Sequence, residues 1–560
     1  MVWHSMPFHR SLRWSTIAVT AGLSAGVISP ILMGSPALAA GTLFFTYGPF
    51  ERTLQVQSLE AFAATGKVNE DLRLLVRGND PEKQKKMREA LVFRADVEPI
   101  LVSRFFNSNI GEDVLKLLGK NITMKNGANG ALAIRGALVA AAFDKDGLSL
   151  LNVMKKLPVN ISFNGQRIAS VTREAELLIK GTETLISLMR DLTDIEAQAA
   201  SPVDFAKLKN PGAPGKYGVE KDIWNLVDTS RQRKFYVEVY KPKELIESNV
   251  PVIVFSHGLS SQPKDYAVGL RHLASHGYVV AAPQHPGSDS TWVKGLINGT
   301  NKDVFDVNEF INRPKDLSYV MDELERRNDE SFQGRLVLDN IGVAGHSFGG
   351  YTALAVGGAK IDFDYLKTEC NRSFAAIDVS LLLECQALEL PRTAYSFKDN
   401  RVTSILGYNP VNRSLFGPKG IAAIPLPTMF ISGSYDPAAP PARQQAASFT
   451  WLTNPNKYWM MVEGQAHVNF DNIDPGIKTS IESVTHLALP NEQLIQDYVK
   501  SMMTPFFNVY VKQDPRYKEF LQSSYAEYLS EGQDFRLDFI TAASSPAMEK
   551  AIADFRKKYR

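Results

Sequence analysis

A serine hydroxyl is a poor nucleophile at neutral pH. It becomes useful when a base within hydrogen-bond reach takes its proton and a carboxylate orients that base. One serine of this chain sits where such an arrangement is built. Ile341-Gly342-Val343-Ala344 reads as a short buried strand, Gly345-His346-Ser347-Phe348-Gly349-Gly350 follows, and Tyr351-Thr352-Ala353-Leu354 reads as the start of a helix. On a sharp strand-to-helix turn a serine is held in a strained conformation with its hydroxyl presented, and glycines two residues to either side relieve the clashes that result. The plainer alternative is a glycine-rich turn whose serine only caps the helix. The context predicts Ser347 as a nucleophile for acyl chemistry.

In sheets that carry this turn, the acid and then the histidine follow the serine along the chain. Of nine histidines, only His467 and His486 come after Ser347. His467 ends Glu463-Gly464-Gln465-Ala466-His467, directly after the apolar run Tyr458 to Val462, and is the predicted base; His486 follows no such strand. The acid is Asp436, at the end of Pro427-Thr428-Met429-Phe430-Ile431-Ser432-Gly433-Ser434-Tyr435-Asp436, because loops at the carboxyl ends of parallel strands build the site of an open α/β sheet. Its rival role is to cap the helix near Pro440. Asp471 and Asp474 come after His467 and break the order. A tetrahedral intermediate also needs two preorganised N–H donors, each lowering the barrier by roughly 3 to 4 kcal/mol. Phe348 supplies one on the turn, and Leu259, in His257-Gly258-Leu259-Ser260-Ser261 after the strand Val250 to Ser256, supplies the other. Leu259, Phe348, Trp292 and Trp451 are candidates for an apolar acyl site, against the alternative of plain core or rim.

These residues need a scaffold. From about residue 219 apolar strands alternate with helices, so the fold class expected is α/β, a mainly parallel sheet covered on both faces. This part spans 219–512, with a break in the rhythm at about 361–399 that is the natural lid insertion, and a helical extension over 513–560. Before it, residues 40–200 read as a mostly helical domain. Asp80-Pro81-Glu82 is a helix start, and Leu178, Leu185, Leu188 and Leu192 form one stripe. Residues 201–218, rich in Pro, Gly, Ala and Lys, have the composition of a linker.

With 44% hydrophobic and 22% charged residues the chain is globular. Its 62 basic residues nearly balance 60 acidic ones, so no net field recruits nucleic acid or an anionic surface. Residues 1–39 carry Arg10 and Arg13, an apolar stretch from about Ser15 to Met33, and Ser35-Pro36-Ala37-Leu38-Ala39-Ala40, the pattern of a cleaved signal peptide. An uncleaved anchor is the competing reading, weakened by Gly22, Gly26 and Pro30. Export to the periplasm or medium, with no stable transmembrane span after processing, is therefore expected. In an oxidising compartment the two cysteines, Cys370 and Cys385, can join as a disulfide, which restricts the unfolded chain by about 3 kcal/mol; two buried thiols are the alternative. No metal or cofactor pattern is evident.

Gly345-His346-Ser347-Phe348-Gly349-Gly350, His257-Gly258-Leu259 and His285-Pro286-Gly287-Ser288 resemble the platelet-activating factor acetylhydrolase and dienelactone hydrolase branch of the α/β-hydrolase superfamily. Gly433-Ser434-Tyr435-Asp436 and Glu463-Gly464-Gln465-Ala466-His467 are similar to segments of bacterial polyester hydrolases. The likeness covers roughly residues 220 to 510. It implies an α/β-hydrolase fold, Ser347 as nucleophile, His467 as base, Asp436 as its orienter, and the N–H groups of Leu259 and Phe348 as oxyanion hole. Dienelactone hydrolases carry cysteine where this chain has Ser347. A leader, a helical domain and then this hydrolase together resemble exported bacterial proteins labelled as predicted hydrolases. The implied activity is cleavage of a small-molecule or lipid carboxylic ester, with no cofactor. Acyl transfer, thioester or lactone cleavage by the same residues, and a non-catalytic binding protein on a hydrolase scaffold, are the other readings.

Overall fold

A computed structural model of the protein describes residues 41–73, 76, 81–245, 247–372, 378–467 and 490–559. The leader, Asp471, Asp474 and His486 lie outside the described residues. The described residues form one compact unit.

The N-terminal part is helical but also holds a four-stranded sheet. Its strands are β1 (Thr42–Tyr47), β2 (Phe50–Gln55), β4 (Ile122–Met124) and β6 (Ile161–Asn164), in the order β2-β1-β6-β4; β3 (Arg94–Ala95) and β5 (Leu148–Ser149) form a separate short pair. Of these strands only β6 falls in a stretch, Val159 to Ile168, whose sequence reads as extended, and the helix from Gly165 takes the second half of that stretch. The others are short or hold charged residues that blur the two-residue period, as in Phe50-Glu51-Arg52-Thr53.

The large sheet has nine strands: β7 (Val219–Asp228), β8 (Arg233–Pro242), β9 (Val250–Ser256), β10 (Val279–Pro283), β11 (Leu336–His346), β12 (Val402–Tyr408), β13 (Thr428–Gly433), β14 (Lys457–Val462) and β15 (Leu537–Thr541). Their spatial order is β15-β14-β13-β12-β11-β9-β10-β8-β7. The run from β10 through β9, β11, β12 and β13 to β14 is parallel, and the pairs at the two ends are antiparallel. Successive residues feed opposite hydrophobic layers, as a two-residue period requires. Val252 and Val254 of β9, Phe430 of β13 and Trp459 and Met461 of β14 pack into one layer; Ile253, Met429, Ile431, Met460 and Val462 pack into the other. Burial on both faces is why these strands are nearly continuous in apolar residues. The first layer is closed by helices Glu309–Arg326, Phe348–Val356, Arg413–Ala422 and Gln445–Trp451, and the second by Ala267–Ser275 and Glu492–Tyr510.

Two segments depart from the composition reading. Residues 201–218 are pinned to the body: Phe205 packs against Phe520 and Tyr525, Pro211 and Ala213 carbonyls accept from His272 and His276, and the Gly215 N–H donates to Ser275. The C-terminal extension is also not purely helical, because β15 becomes an edge strand of the main sheet. Its five residues, Leu-Asp-Phe-Ile-Thr, are too few for a periodic signal, and the partner that makes them a strand is distant in sequence.

The helix Gly165–Ala199 covers that edge. Asn164 caps its start, and its stripe is buried at Leu185, Met189, Leu192 and Thr193. The Thr193 hydroxyl accepts from the Phe539 N–H at 3.0 Å and reaches the Phe539 carbonyl at 3.3 Å. Glu196 accepts from the Thr541 N–H at 3.1 Å and from the Ser523 and Ser544 hydroxyls. The outward N–H groups of Phe539 and Thr541 are thus satisfied by the N-terminal part of the chain and that of Leu537 by Ser530, as an edge strand requires. Within residues 361–399, helices Phe363–Cys370 and Val379–Cys385 are joined by a Cys370–Cys385 disulfide. They dock on helix Arg413–Ala422, where Glu369 pairs with Arg413 at 2.8 Å and Glu384 accepts from the N–H groups of Ser414 and Leu415. No helix among the described residues is long and apolar enough to cross a membrane.

Thr193→Val keeps the shape but leaves the buried Phe539 N–H without its acceptor. Urea unfolding is expected to show a loss of about 1–3 kcal/mol; an unchanged midpoint would show that the hydroxyl is not what docks the helix.

Candidate active site

Ser347 lies at φ 56°, ψ −117°, between the end of β11 and the helix Phe348–Val356. A side chain rarely occupies that region, and here the surroundings enforce it. The Ser347 N–H donates to the Tyr408 carbonyl at 2.8 Å, and its own carbonyl accepts from Gly350 at 2.9 Å and Val411 at 3.3 Å. The flanking glycines are required by contact. A Cβ at Gly345 would stand 2.1 Å from the Gly349 carbonyl oxygen, and one at Gly349 would stand 2.0 Å from the Ser256 carbonyl oxygen.

The hydroxyl of Ser347 lies 2.8 Å from His467 Nε2, and His467 Nδ1 lies 2.6 Å from Asp436 Oδ2. Facing a carboxylate, Nδ1 carries the proton, which leaves Nε2 to accept from the serine. Asp436 is buried, and its other oxygen accepts from the N–H groups of Ala438 and Ala439 at 2.8 and 2.7 Å. The loops after β13 and β14 that bear Asp436 and His467 are tied together: the N–H groups of Ser434 and Tyr435 donate to the Val462 and Gln465 carbonyls, and the Gly464 N–H donates to the Ser434 hydroxyl. The three residues singled out in the sequence therefore meet at the carboxyl edge of the sheet.

Leu259 follows β9 beside the serine. A Cβ on its neighbour Gly258 would fall 3.5 Å from Ser347 Cβ. Neither the Leu259 nor the Phe348 N–H donates to an acceptor among the described residues. The Phe348 ring is core: it is buried among Phe305, Phe310 and Tyr351, so it forms no acyl wall. Trp292 donates its indole N–H to the Asp303 carbonyl, and Trp451 lines a different cleft. Among the described residues no group of three His, Cys, Asp or Glu side chains is placed to hold a metal ion.

Several residues that hold the site escape a motif search. His346 Nε2 donates to the His467 carbonyl at 2.8 Å, and Asn409 Nδ2 donates to the same carbonyl at 3.1 Å. With the proton on Nε2, His346 Nδ1 accepts from the Tyr266 hydroxyl at 2.9 Å, and that hydroxyl accepts from the Gly258 N–H at 3.1 Å. One strap thus joins the backbone beside Leu259 to the backbone of His467. Burial, followed by the nearby His467, lowers the pKa of His346 to about 3, so it stays neutral.

Beneath the Leu259 loop lies a buried ionic network. Arg313 donates to the His257 carbonyl at 2.7 Å and to the Ser288 hydroxyl at 2.9 Å, and its guanidinium covers the Phe348 ring at 4.5 Å. Ser288 donates to Glu309 at 2.8 Å, Arg233 bridges Glu309 and Asp316 at 2.8 Å each, and Arg231 pairs with Asp316 at 2.8 Å. His285 donates from Nδ1 to Asp316 at 2.9 Å, and its Nε2 lies 3.0 Å from the Ser256 hydroxyl. Burial drives His257 and His285 well below the ordinary imidazole range. The spacing Glu309, Arg313, Asp316 is a charged stripe on one helix face, the one sequence signal that points to this network.

His346 is neutral when folded, while in the unfolded chain it titrates near 6.5. Its lowered pKa means that the stability it contributes is present above about pH 6.5 and is lost as pH falls. The stability gap between the protein and His346→Gln should shrink by about 3 kcal/mol from pH 7 to pH 4, read by urea unfolding at each pH. A gap independent of pH would contradict the neutral strap.

Residues 39–164 match the model of a family described as an alpha/beta hydrolase of unknown function (DUF1400), and residues 216–377 match the chlorophyllase family model. The second match includes Leu259 and Ser347 and ends before Asp436 and His467. A search of curated proteins finds no match. Both families point to a hydrolase, and with the nine-stranded sheet and its serine turn they place the chain in the α/β-hydrolase superfamily.

Proposed function

We propose that the protein is a serine hydrolase of carboxylic esters, exported under the direction of the basic and apolar pattern in residues 1–39. The observation that carries the chemistry is the unbroken chain from the Ser347 hydroxyl through His467 to Asp436, at 2.8 and 2.6 Å, beside two N–H groups with no described acceptor. The chlorophyllase match accords with this reading.

In the reaction His467 Nε2 takes the proton as Ser347 Oγ attacks the ester carbonyl, and Asp436 stabilises the imidazolium. The oxyanion accepts from Leu259 and Phe348. Collapse breaks the ester bond, the alcohol leaves with the proton from His467, and an acyl group stays on Ser347. Water repeats the sequence and releases the acid. Acyl transfer, thioester and lactone cleavage need the same groups, and the leaving group and final acceptor decide among them.

Ser347→Ala should lower kcat for p-nitrophenyl butyrate by at least about four orders of magnitude and abolish fluorophosphonate labelling while leaving the circular dichroism unchanged. Full labelling of the variant would remove Ser347 from the reaction. Inertness of the unaltered protein toward every activated acyl probe would favour a binding role instead.

Tyr266→Phe tests the strap. It removes the hydroxyl shared by the Gly258 N–H and His346 without altering any group that meets the substrate. About a tenfold fall in kcat at constant KM is expected, consistent with the loss of one buried hydrogen bond. A change in KM alone, or none, would mean that the strap does not position the base.

A further inference from the structure

The two margins of the nine-stranded sheet are treated unequally. β15, at one end, has five residues, and helix Gly165–Ala199 occupies its outward donors. β7, at the other end, has ten residues, holds no proline and pairs with β8 without a register shift. Edge strands are ordinarily blunted by shortness, proline, a bulge or a cover. Among the described residues β7 shows none of these.

The hydrogen-bond parity of the β7–β8 pair decides which groups are left over. The Gly218 carbonyl accepts from the Lys243 N–H at 2.9 Å, whereas the Tyr236 carbonyl turns the other way, to the Gln284 N–H at 2.8 Å after β10. Bonded residues alternate along an antiparallel pair, so the even-numbered residues of β7 bond to β8. Val219, Lys221, Ile223, Asn225 and Val227 therefore direct their N–H and C=O groups away from the sheet. The Val227 carbonyl accepts from the Tyr319 hydroxyl at 2.9 Å, but the backbone groups of Val219, Lys221, Ile223 and Asn225 meet no partner among the described residues. These five side chains share one face, on which Ile223 is 57% exposed and Val227 48% exposed.

The charges of the strand select what fits this edge. Lys241 holds Glu220 and Asp222 at 3.2 and 2.8 Å, and Lys221 pairs with Glu238 at 2.9 Å, so each charge of that stretch is paired within its own chain. In a ladder, like charges directly opposite one another are destabilising. If β7 meets a second copy of itself antiparallel about a two-fold axis, outward groups must face outward groups, which puts the axis on a residue. Four such registers pair seven or more residues of each strand, with the axis at Asp222, Ile223, Trp224 or Asn225. At Asp222 that carboxylate faces itself; at Trp224, Glu220 faces Asp228; at Asn225, Asp222 faces Asp228. Only the register centred on Ile223 opposes no like charges. It also sets Val219 against Val227, Lys221 against Asn225, and Ile223 against its own copy, so apolar side chains meet on the exposed face.

We infer that β7 is a self-association edge, at which two copies of this chain join antiparallel about an axis at Ile223 and their large sheets run on as one. About ten backbone hydrogen bonds complete the ladder. The far margin of each copy is closed by its own helix Gly165–Ala199, so pairing stops at two copies instead of growing into a fibre. Ser347, His467 and Asp436 meet within one chain, and the inference stands apart from the ester reading.

Sedimentation velocity of the purified protein over roughly 1 to 100 μM should show particles of two copies. Ile223→Lys alters an exposed side chain, places two ammonium groups at the axis, and should raise the dissociation constant at least about tenfold with the circular dichroism unchanged. A short bismaleimide should cross-link two copies of Ile223→Cys but not of Val227→Cys, whose introduced thiols stand about 27 Å apart in this register. Cys370 and Cys385 are joined to each other and do not compete. A single copy at every concentration, association unaltered in Ile223→Lys, or failure of Ile223→Cys to cross-link would overturn the inference.

Discussion

The geometry at the carboxyl edge of the sheet depends on one backbone turn. Ser347 is held in a left-handed conformation, a state that costs of order 1–3 kcal/mol unless its surroundings over-determine it. Those surroundings are the Tyr408 carbonyl on one side, the Gly350 and Val411 N–H groups on the other, and two glycines without which the carbonyls of Ser256 and Gly349 would be struck. The geometry serves two purposes at once. It lifts the hydroxyl toward His467, and it leaves the Phe348 N–H at the start of a helix, where it has no partner within the helix and the dipole favours negative charge.

The Leu259 side of the same edge is stiffened from below. Arg313, Glu309, Asp316 and Arg233 are buried charges that would be costly singly and are tolerable only as a set. What the set holds is the His257 carbonyl and the Ser288 hydroxyl, so its net effect is to fix where the Leu259 amide points. In the proposed reaction, a loop held by such fixed dipoles and charges would meet a developing oxyanion without reorganisation, which is where electrostatic stabilisation gains most. The Tyr266 and His346 strap extends the same stiffness across to His467.

The parts of this arrangement legible in the sequence are those set by local pattern. Buried strands with apolar residues at every position, and glycines at fixed offsets from Ser347, announce both sheet and turn, and chain order then singles out Asp436 and His467. What could not be read depends on contacts between remote segments. β15 is a strand because β14 pairs with it, and residues 201–218 are pinned because helix Ala267–Ser275 and the aromatic side chains of 520–525 lie under them. Asn409 and Tyr266 carry no motif; their importance comes from reaching a carbonyl and an imidazole that arrive from elsewhere in the chain. Trp451 shows the converse: an aromatic residue near the reactive strands in sequence lines a different cleft, because its helix runs away from the carboxyl edge of the sheet.

The contact between Glu196 and the last strand bears on how the molecule can be divided. A shortened chain beginning at residue 219 would retain every group of the serine site, yet it would lack the residues that occupy the outward donors of Phe539 and Thr541. Bare donors along a sheet margin invite a second copy to pair there. The helix Gly165–Ala199 thus closes a margin at which a second copy could otherwise pair, and a fragment that keeps this margin closed is larger than the nine-stranded sheet.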